Sequence, residues 1–312
     1  VTTAMVLTPP PGEAAAAATA PTPGRRLLRR LLHNWSALAG LVWLGFVSVV
    51  AIAAPVVSPQ DPSRINTVGV AGVSQVIVNQ GPTARHWLGT DSVGRDILSR
   101  LIYGARVSMR ISLVVVVLAA VAAVPIGLLA GYFGRWTDGI LMRIMDAFFA
   151  FPPLMLALGV AALLGPSLVN VSVAIAIPFV PGFARLVRAE VLAVREELYV
   201  EASRSVGVSS GRMLRRHILP NVASPFIVQA ALAFGYAILA EAGLSFLGFG
   251  VQPPNASWGV LLQNAYNYVN AKPWPMIPPG LAIALTVLAF NLVGDGLRDA
   301  LGREVFRVKA DR

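Results

Sequence analysis

Three histidines, His33, His86 and His217, lie far apart without ligand spacing, and the chain has no cysteine. Neither a metal centre, a thiolate nucleophile nor a disulfide framework is expected from such a set. The two lysines, Lys272 and Lys309, do not stand in a G-x-x-x-x-G-K-[ST] setting, so the chain has no Walker A cradle of its own for nucleotide phosphates. No nucleophile, base and orienting group come together in the pattern, and enzymatic catalysis is not expected. What remains are acidic residues inside apolar stretches: Glu241 in ILAEAGLSFLGFG and Asp146 in RIMDAFF. A carboxylate in such surroundings is costly unless it is protonated, paired or facing water. Glu241 is read as either a pathway or interface group or a hydrogen-bonded tie to a neighbouring helix. Arg143 stands three residues before Asp146 and offers it a partner on the same helix face, which makes an ion pair a better reading than a proton relay.

The elements that would carry these residues are membrane spans. Of 312 residues, 56% are hydrophobic and only 13% charged, too apolar for one soluble domain. The net charge of +10 would suggest nucleic acid in a soluble chain. No basic patch is interleaved with aromatics, however, and in a membrane chain such an excess records arginines kept on the cytoplasmic side, with the lipid membrane as partner.

Residues 1–35 read as a disordered basic cytoplasmic tail, rich in Pro, Ala and Thr and ending in Arg25, Arg26, Arg29 and Arg30. Residues 36–57 form the first span; Ala51-Ile52-Ala53 has the form of a cleavage site, but the run is long enough to cross, and an uncleaved span is expected. Residues 58–106 read as an extracytoplasmic loop with a short surface helix over Asp96–Gly104. Its arginines are an excess that charge asymmetry does not explain. Residues 107–298 hold five further spans, near 111–132, 141–164, 168–186, 222–247 and 276–292. Pro152 and Pro153 kink the third span, and Pro178 and Pro181 bend the fourth. Trp258, Tyr266, Tyr268 and Trp274 suit the outer water boundary. Residues 299–312 form a cytoplasmic tail.

Between the fourth and fifth spans lies a polar island, residues 185–221. Val187, Val191, Val194, Leu198, Ala202 and Val206 recur at steps of three or four, the apolar face of one amphipathic helix. Gly207 interrupts it, Ser209 is placed to cap a second short helix with Leu214 and Ile218 on one side, and Pro220 is expected to close the unit.

These residues carry a resemblance. Glu201-Ala202-Ser203, Gly207 and Leu219-Pro220 resemble the EAA loop of the membrane subunits of ATP-binding-cassette importers. Ser203 replaces the usual Ala, and His217 stands where the general pattern has Ile. The ending His217-Ile218-Leu219-Pro220-Asn221 is similar to the oligopeptide/dipeptide (nickel) permease branch. So are His86-Trp87-Leu88-Gly89-Thr90-Asp91, Ala240 to Gly248 with Ser257-Trp258-Gly259, and Phe290 to Asp299, in the manner of its C-type subunit. The resemblance implies an all-α, six-span, type I importer permease in a bacterial inner membrane with both termini cytoplasmic. Glu201, Ala202, Ser203, Gly207, His217, Ile218, Leu219 and Pro220 would form the ATPase-coupling loop, and Glu201 would anchor it. Partners would be a homologous permease subunit, two ATP-binding subunits that hold ATP and Mg, and an external substrate-binding protein. Peptides are the expected substrate; the lack of His and Met clusters along the spans disfavours a nickel path. A proton-coupled secondary transporter would require internal repeats around a midplane site, which are not seen. A non-transporting membrane scaffold is the remaining alternative.

Overall fold

The computed structural model describes residues 23–70 and 73–310, so the expectation for residues 1–22 lies outside the described residues. Helix α1 (Pro23–His33) leads through Asn34 into α2 (Trp35–Ile52), and the single turn α3 (Ala54–Val57) follows. The Asn34 side chain accepts from the backbone N–H groups of Ser36 and Ala37 at 3.1 and 3.4 Å, which caps α2 and fixes the corner. Residues 23–33 are therefore helical and not part of a disordered tail. Four leucines alternate with four arginines there at helical spacing, a signal outweighed in the sequence reading by the Pro/Ala composition just before it.

Residues 58–96, expected as a loop, have folded structure of their own. An antiparallel hairpin pairs β1 (Thr67–Val70) with β2 (Val73–Val76), Thr67 lying opposite Val76. The expected surface helix does not exist as such. Asp96 caps α4 (Ile97–Phe133), its carboxylate accepting from the Ser99 N–H at 2.8 Å, and the helix then runs on for 37 residues. His86 Nδ1 lies 3.0 Å from the same carboxylate. Asp91 takes Arg95 Nε at 2.8 Å and lies 3.5 Å from Nε of the fully buried Arg100. Two of the surplus arginines of residues 58–106 are thus structural counterions, a role that charge asymmetry does not address.

Among the described residues, five helices are long and apolar enough to cross a membrane: Trp35–Ile52, Ile97–Phe133, Leu168–Arg195, Ser210–Phe246 and Trp274–Gly302. The sixth candidate is a broken pair, α5 (Arg135–Phe149) and α6 (Pro153–Leu164), bent by 88°. The kink expected at Pro152-Pro153 is therefore a full break. A proline disfavours helical geometry in the residue before it, and Pro152 takes φ −56°, ψ 130°, outside the helix. Gly165, at φ +79°, ends α6, and α7 (Leu168–Arg195) returns. Short α8 (Leu198–Ser205) and α9 (Ser210–Met213) lead into α10 (Leu219–Phe246), then α11 (Trp258–Tyr266) and α12 (Ile277–Ala310).

Ile111, Val115 and Ala119 of α4, Val171, Ile175 and Phe183 of α7, and Ala237 and Leu244 of α10 form the central core. Small residues let the helices approach closely, as packing within a membrane requires. A Cβ on Gly127 would lie 2.6 Å from Ala184 O and Val187 Cβ, and one on Gly131 2.7 Å from Val191 Cβ. The pair Gly127 and Gly131, one turn apart, seats α4 against α7. At the periphery, Gly40 of α2 sits where a Cβ would be 2.7 Å from Ala289 O of α12. Gly296 meets Ala37, so α2 and α12 run antiparallel, with α1 beside the far end of α12.

Of the four outer aromatics, Tyr266, Tyr268 and Trp274 are exposed, but Trp258 is only 2% exposed. Its indole N–H donates to Leu101 O at 3.0 Å, so it packs α11 onto α4 and is not a boundary anchor.

Candidate functional site

The polar island is not one amphipathic helix. Helix α7 ends at Arg195, Glu197 is extended (φ −74°, ψ 140°), and α8 starts afresh at Leu198. The break rotates the second half of the apolar pattern. Val187 and Val191 remain buried, but in α8 the inward residue is Val200, while Leu198 and Val206 are 81% and 80% exposed. Ala202 lies on the same exposed stripe. A series read as the apolar face of one helix is therefore a core face on α7 and an outward face on α8.

Gly207 does what the sequence predicts, for an identifiable reason. At φ +81° it holds the left-handed conformation after α8, its N–H bonding Arg204 O at 3.0 Å and the Val208 N–H reaching Ser203 O at 3.2 Å. This is the paired closure of a helix C-terminus that favours glycine. Ser209 occupies the cap position of α9, although its hydroxyl makes no capping bond.

Pro220 does not close the unit. The Leu219 N–H bonds Leu214 O, five residues back, and Leu219 itself is helical at φ −54°, ψ −41°. That widened turn makes room for the proline ring and leaves Pro220 in the first turn of α10, where its missing N–H costs least. The chain from Ser210 to Phe246 is consequently one long helix. The short helix that stands apart is α8, before Gly207, and not a helix between Gly207 and Pro220.

The loop has its own core. Val187, Val191, Val200, Met213, Ile218 and Val222 are buried together, with Val124, Leu128 and Tyr132 of α4 against them. Asn221 Nδ2 donates to His217 O at 2.7 Å and to the Tyr199 hydroxyl at 3.1 Å, tying α8 to the base of α10. Ser203 Oγ donates to Tyr199 O at 2.7 Å, inside its own helix. Glu201 departs from the expected anchor: it is exposed, and among the described residues no side chain or backbone donor reaches its carboxylate. Arg195 Nη1 donates to Gly131 O at 3.0 Å, and Arg188 forks onto both oxygens of Asp138 at the start of α5. The loop thus hangs from α4, α5 and α7 as one body.

Asp146 pairs with Arg185 of α7 at 2.6 Å, not with Arg143. The Arg185 guanidinium also lies 4.0 Å from the centre of the Phe149 ring. Arg143 instead lines a shallow surface groove on α5 with Arg135, Trp136 and Ile140. An i,i+3 spacing allows a pair, but Arg185, whose guanidinium rests on the Phe149 ring across the helix interface, is already held in place to donate.

Glu241 is fully buried on α10. Its carboxylate accepts from Ser108 Oγ of α4 at 3.0 Å and from Ser245 Oγ at 2.7 Å. Ser108 Oγ in turn accepts from the Trp258 N–H at 3.2 Å, and Ser257 Oγ lies 3.4 Å from Ser245 Oγ while accepting from the Val260 N–H. Gly259 crosses α10 where a Cβ would be 2.7 Å from Ala242 Cα. Within this chain the carboxylate is a hub joining α4, α10 and the start of α11; of its two sequence readings, the geometry matches the structural one. Ser108 was missed by sequence reasoning, since a lone serine in a long span gives no signal. Ser257 lies inside a motif that was noted without a role. Among the described residues, no three His, Asp or Glu side chains converge as metal ligands.

The family described as the inner membrane component of binding-protein-dependent transport systems matches residues 123–307. The N-terminal transmembrane domain of oligopeptide transport permease C matches residues 22–82. The chain is 44% identical to a dipeptide transport system permease protein of Alkalihalophilus pseudofirmus, over 91% of this chain and 90% of that protein. It is 44% identical to a di/tripeptide transport system permease protein of Pseudomonas aeruginosa, over 90% and 92%. A glutathione transport system permease protein of Pectobacterium atrosepticum is 42% identical over 90% and 91%. With the loop, the broken third span and four of the five long spans in the matched regions, the chain belongs to the family of inner membrane components of binding-protein-dependent transport systems, and its work is transport rather than catalysis.

Proposed function

We propose that the chain is the C-type permease subunit of an ATP-driven importer of di- and oligopeptides. It forms the translocation path with a homologous permease subunit, receives substrate from an external binding protein, and is driven by two cytoplasmic ATPases that bind ATP and Mg. The loop, α1 and the C-terminal end of α12 lie at one end of the bundle, which is the cytoplasmic end in this reading.

The observation that carries it is the mounting of α8. This short helix turns Leu198, Ala202 and Val206 outward, while its inner face is fixed through Val200 and Tyr199 to the long helices, and Arg195 just before it ties α7 to α4. An exposed apolar stripe on a rigid mount suits docking into a groove of an ATPase subunit. Closure of the ATPases then moves α7 and α10 with the loop, a two-state coupling between nucleotide and path. The peptide assignment rests on the relatives named for dipeptides, di/tripeptides and glutathione. Tagged chain purified in mild detergent should carry two ATP-binding subunits with it. Uptake of a labelled dipeptide into vesicles holding the assembly should require ATP and survive collapse of the proton gradient; uptake that follows the gradient instead would overturn the reading.

A further inference from the structure

Helix α1 reads PGRRLLRRLLH, without an acidic residue. At 100° per residue, Arg25, Arg26, Arg29, Arg30 and His33 fall within one arc and Leu27, Leu28, Leu31 and Leu32 within the opposite one. The protein covers only part of the apolar arc: Leu31 is buried against Ala37, Ala300 and Leu297, while Leu28 and Leu32 are 56% and 48% exposed. Arg30 Nη1 donates to Ala300 O at 3.1 Å, so α1 is clamped to the end of α12. One residue, Asn34, separates it from the span α2, whose first residue, Trp35, is 84% exposed.

We infer that α1 is a lipid-docking helix that lies along the membrane surface, Arg25, Arg26 and Arg29 taking the phosphates of anionic headgroups and Leu28 and Leu32 entering the acyl layer below. Four arginines directly beside a span, over a face of exposed leucines, match the charge and shape of an anionic leaflet. The exposed Trp35 places the corner at the depth where indole rings favour the membrane boundary. Because Arg30 and Leu31 hold α12, lipid charge is linked to the helix pair α2 and α12. This inference does not depend on which substrate the assembly carries.

The absence of cysteine makes the test clean. A nitroxide on Leu28→Cys, with Leu32→Cys as second reporter, is read in the full chain with its co-purifying subunits, in phosphatidylcholine vesicles with and without phosphatidylglycerol. With phosphatidylglycerol the label should be reached by oxygen more than by a polar nickel reagent, and should move towards water without it. Each arginine near the surface is worth about fivefold in such an equilibrium, so replacing Arg25, Arg26 and Arg29 by Gln should shift docking by roughly 100-fold towards water in the anionic vesicles. High salt should weaken the effect. A label indifferent to phosphatidylglycerol overturns the inference. So does one shielded from both reagents only when ATP-hydrolysing subunits are present, since the occupant would then be protein.

Discussion

Arg195 Nη1 donates to the backbone carbonyl of Gly131 at 3.0 Å, fixing the last turn of α7 to α4 immediately before the loop begins. One turn further in, Val191 lies against Gly131 and Val187 against Gly127, so the two helices form a strut with no slack. A loop on such a mount cannot shift without carrying its spans, which is the physical requirement for converting a push at α8 into tilting of the bundle.

Gly131→Leu tests the strut. The added side chain has no room against Val191, and overpacking of this kind costs about 1–3 kcal/mol. The unfolding temperature in detergent should fall and substrate-stimulated ATPase activity should drop with it. Gly139→Leu, where no atom lies within 4 Å of an added Cβ, should leave both unchanged.

The loop itself separates folding from coupling. Gly207→Pro forces φ near −65° where +81° is required, and Glu201→Arg reverses a charge that has no described partner within the chain. Both variants should insert into the membrane. Both should abolish substrate-stimulated ATPase activity, and Glu201→Arg should do so with an unchanged unfolding temperature. Because Glu201 is not an internal anchor, a large stability loss from that variant would show that its role is structural after all.

For Glu241 the structural and pathway readings diverge in a single pair of variants. Glu241→Gln keeps one oxygen acceptor and turns the other contact into an amide N–H donated to a serine hydroxyl, which can accept it, so uptake should be retained within about twofold, whereas a proton carrier would lose it entirely. Glu241→Ala strips the buried hydroxyls of their acceptor and opens a void, a loss of about 1–3 kcal/mol that thermal unfolding would register.

Asp146 and Arg185 are both about half exposed, so their ion pair contributes about 1 kcal/mol or less. A double-mutant cycle of Asp146→Asn with Arg185→Gln should show this small coupling energy in thermal unfolding. The cycle of Asp146→Asn with Arg143→Gln should show none.

Much of this architecture was legible because a membrane span is a long, simple signal. Each of the five long spans overlaps the apolar run that announced it, although four of them continue about ten residues past it at one end, and the Pro152-Pro153 break falls within two residues of its cause. Gly207 was equally readable, since a helix closure of this type needs the left-handed region. What failed were continuity and rotation. Periodicity shows which residues share a face but not whether the helix persists, so Leu198, Ala202 and Val206 were placed on one face with Val187 and Val191, from which the extended Glu197 turns them away. Pro220 misled for the converse reason, because a wide turn ending at Leu219 absorbs the ring and the helix continues. Partner choice at Asp146 depends on a helix 39 residues away in sequence, which no local spacing encodes. The same holds for the serine cage around Glu241, drawn from three separate helices or their caps.

The central claim is that the outward face of α8 docks on an ATPase subunit. A photo-crosslinking side chain at Leu198, read in the assembled complex with one at the exposed Leu288 of α12 as control, tests it most directly. The account predicts that Leu198 captures an ATP-binding subunit with a yield that changes between nucleotide-free and ATP-bound states, while Leu288 does not. Capture of lipid, of the second permease subunit alone, or of no protein from Leu198 would contradict it.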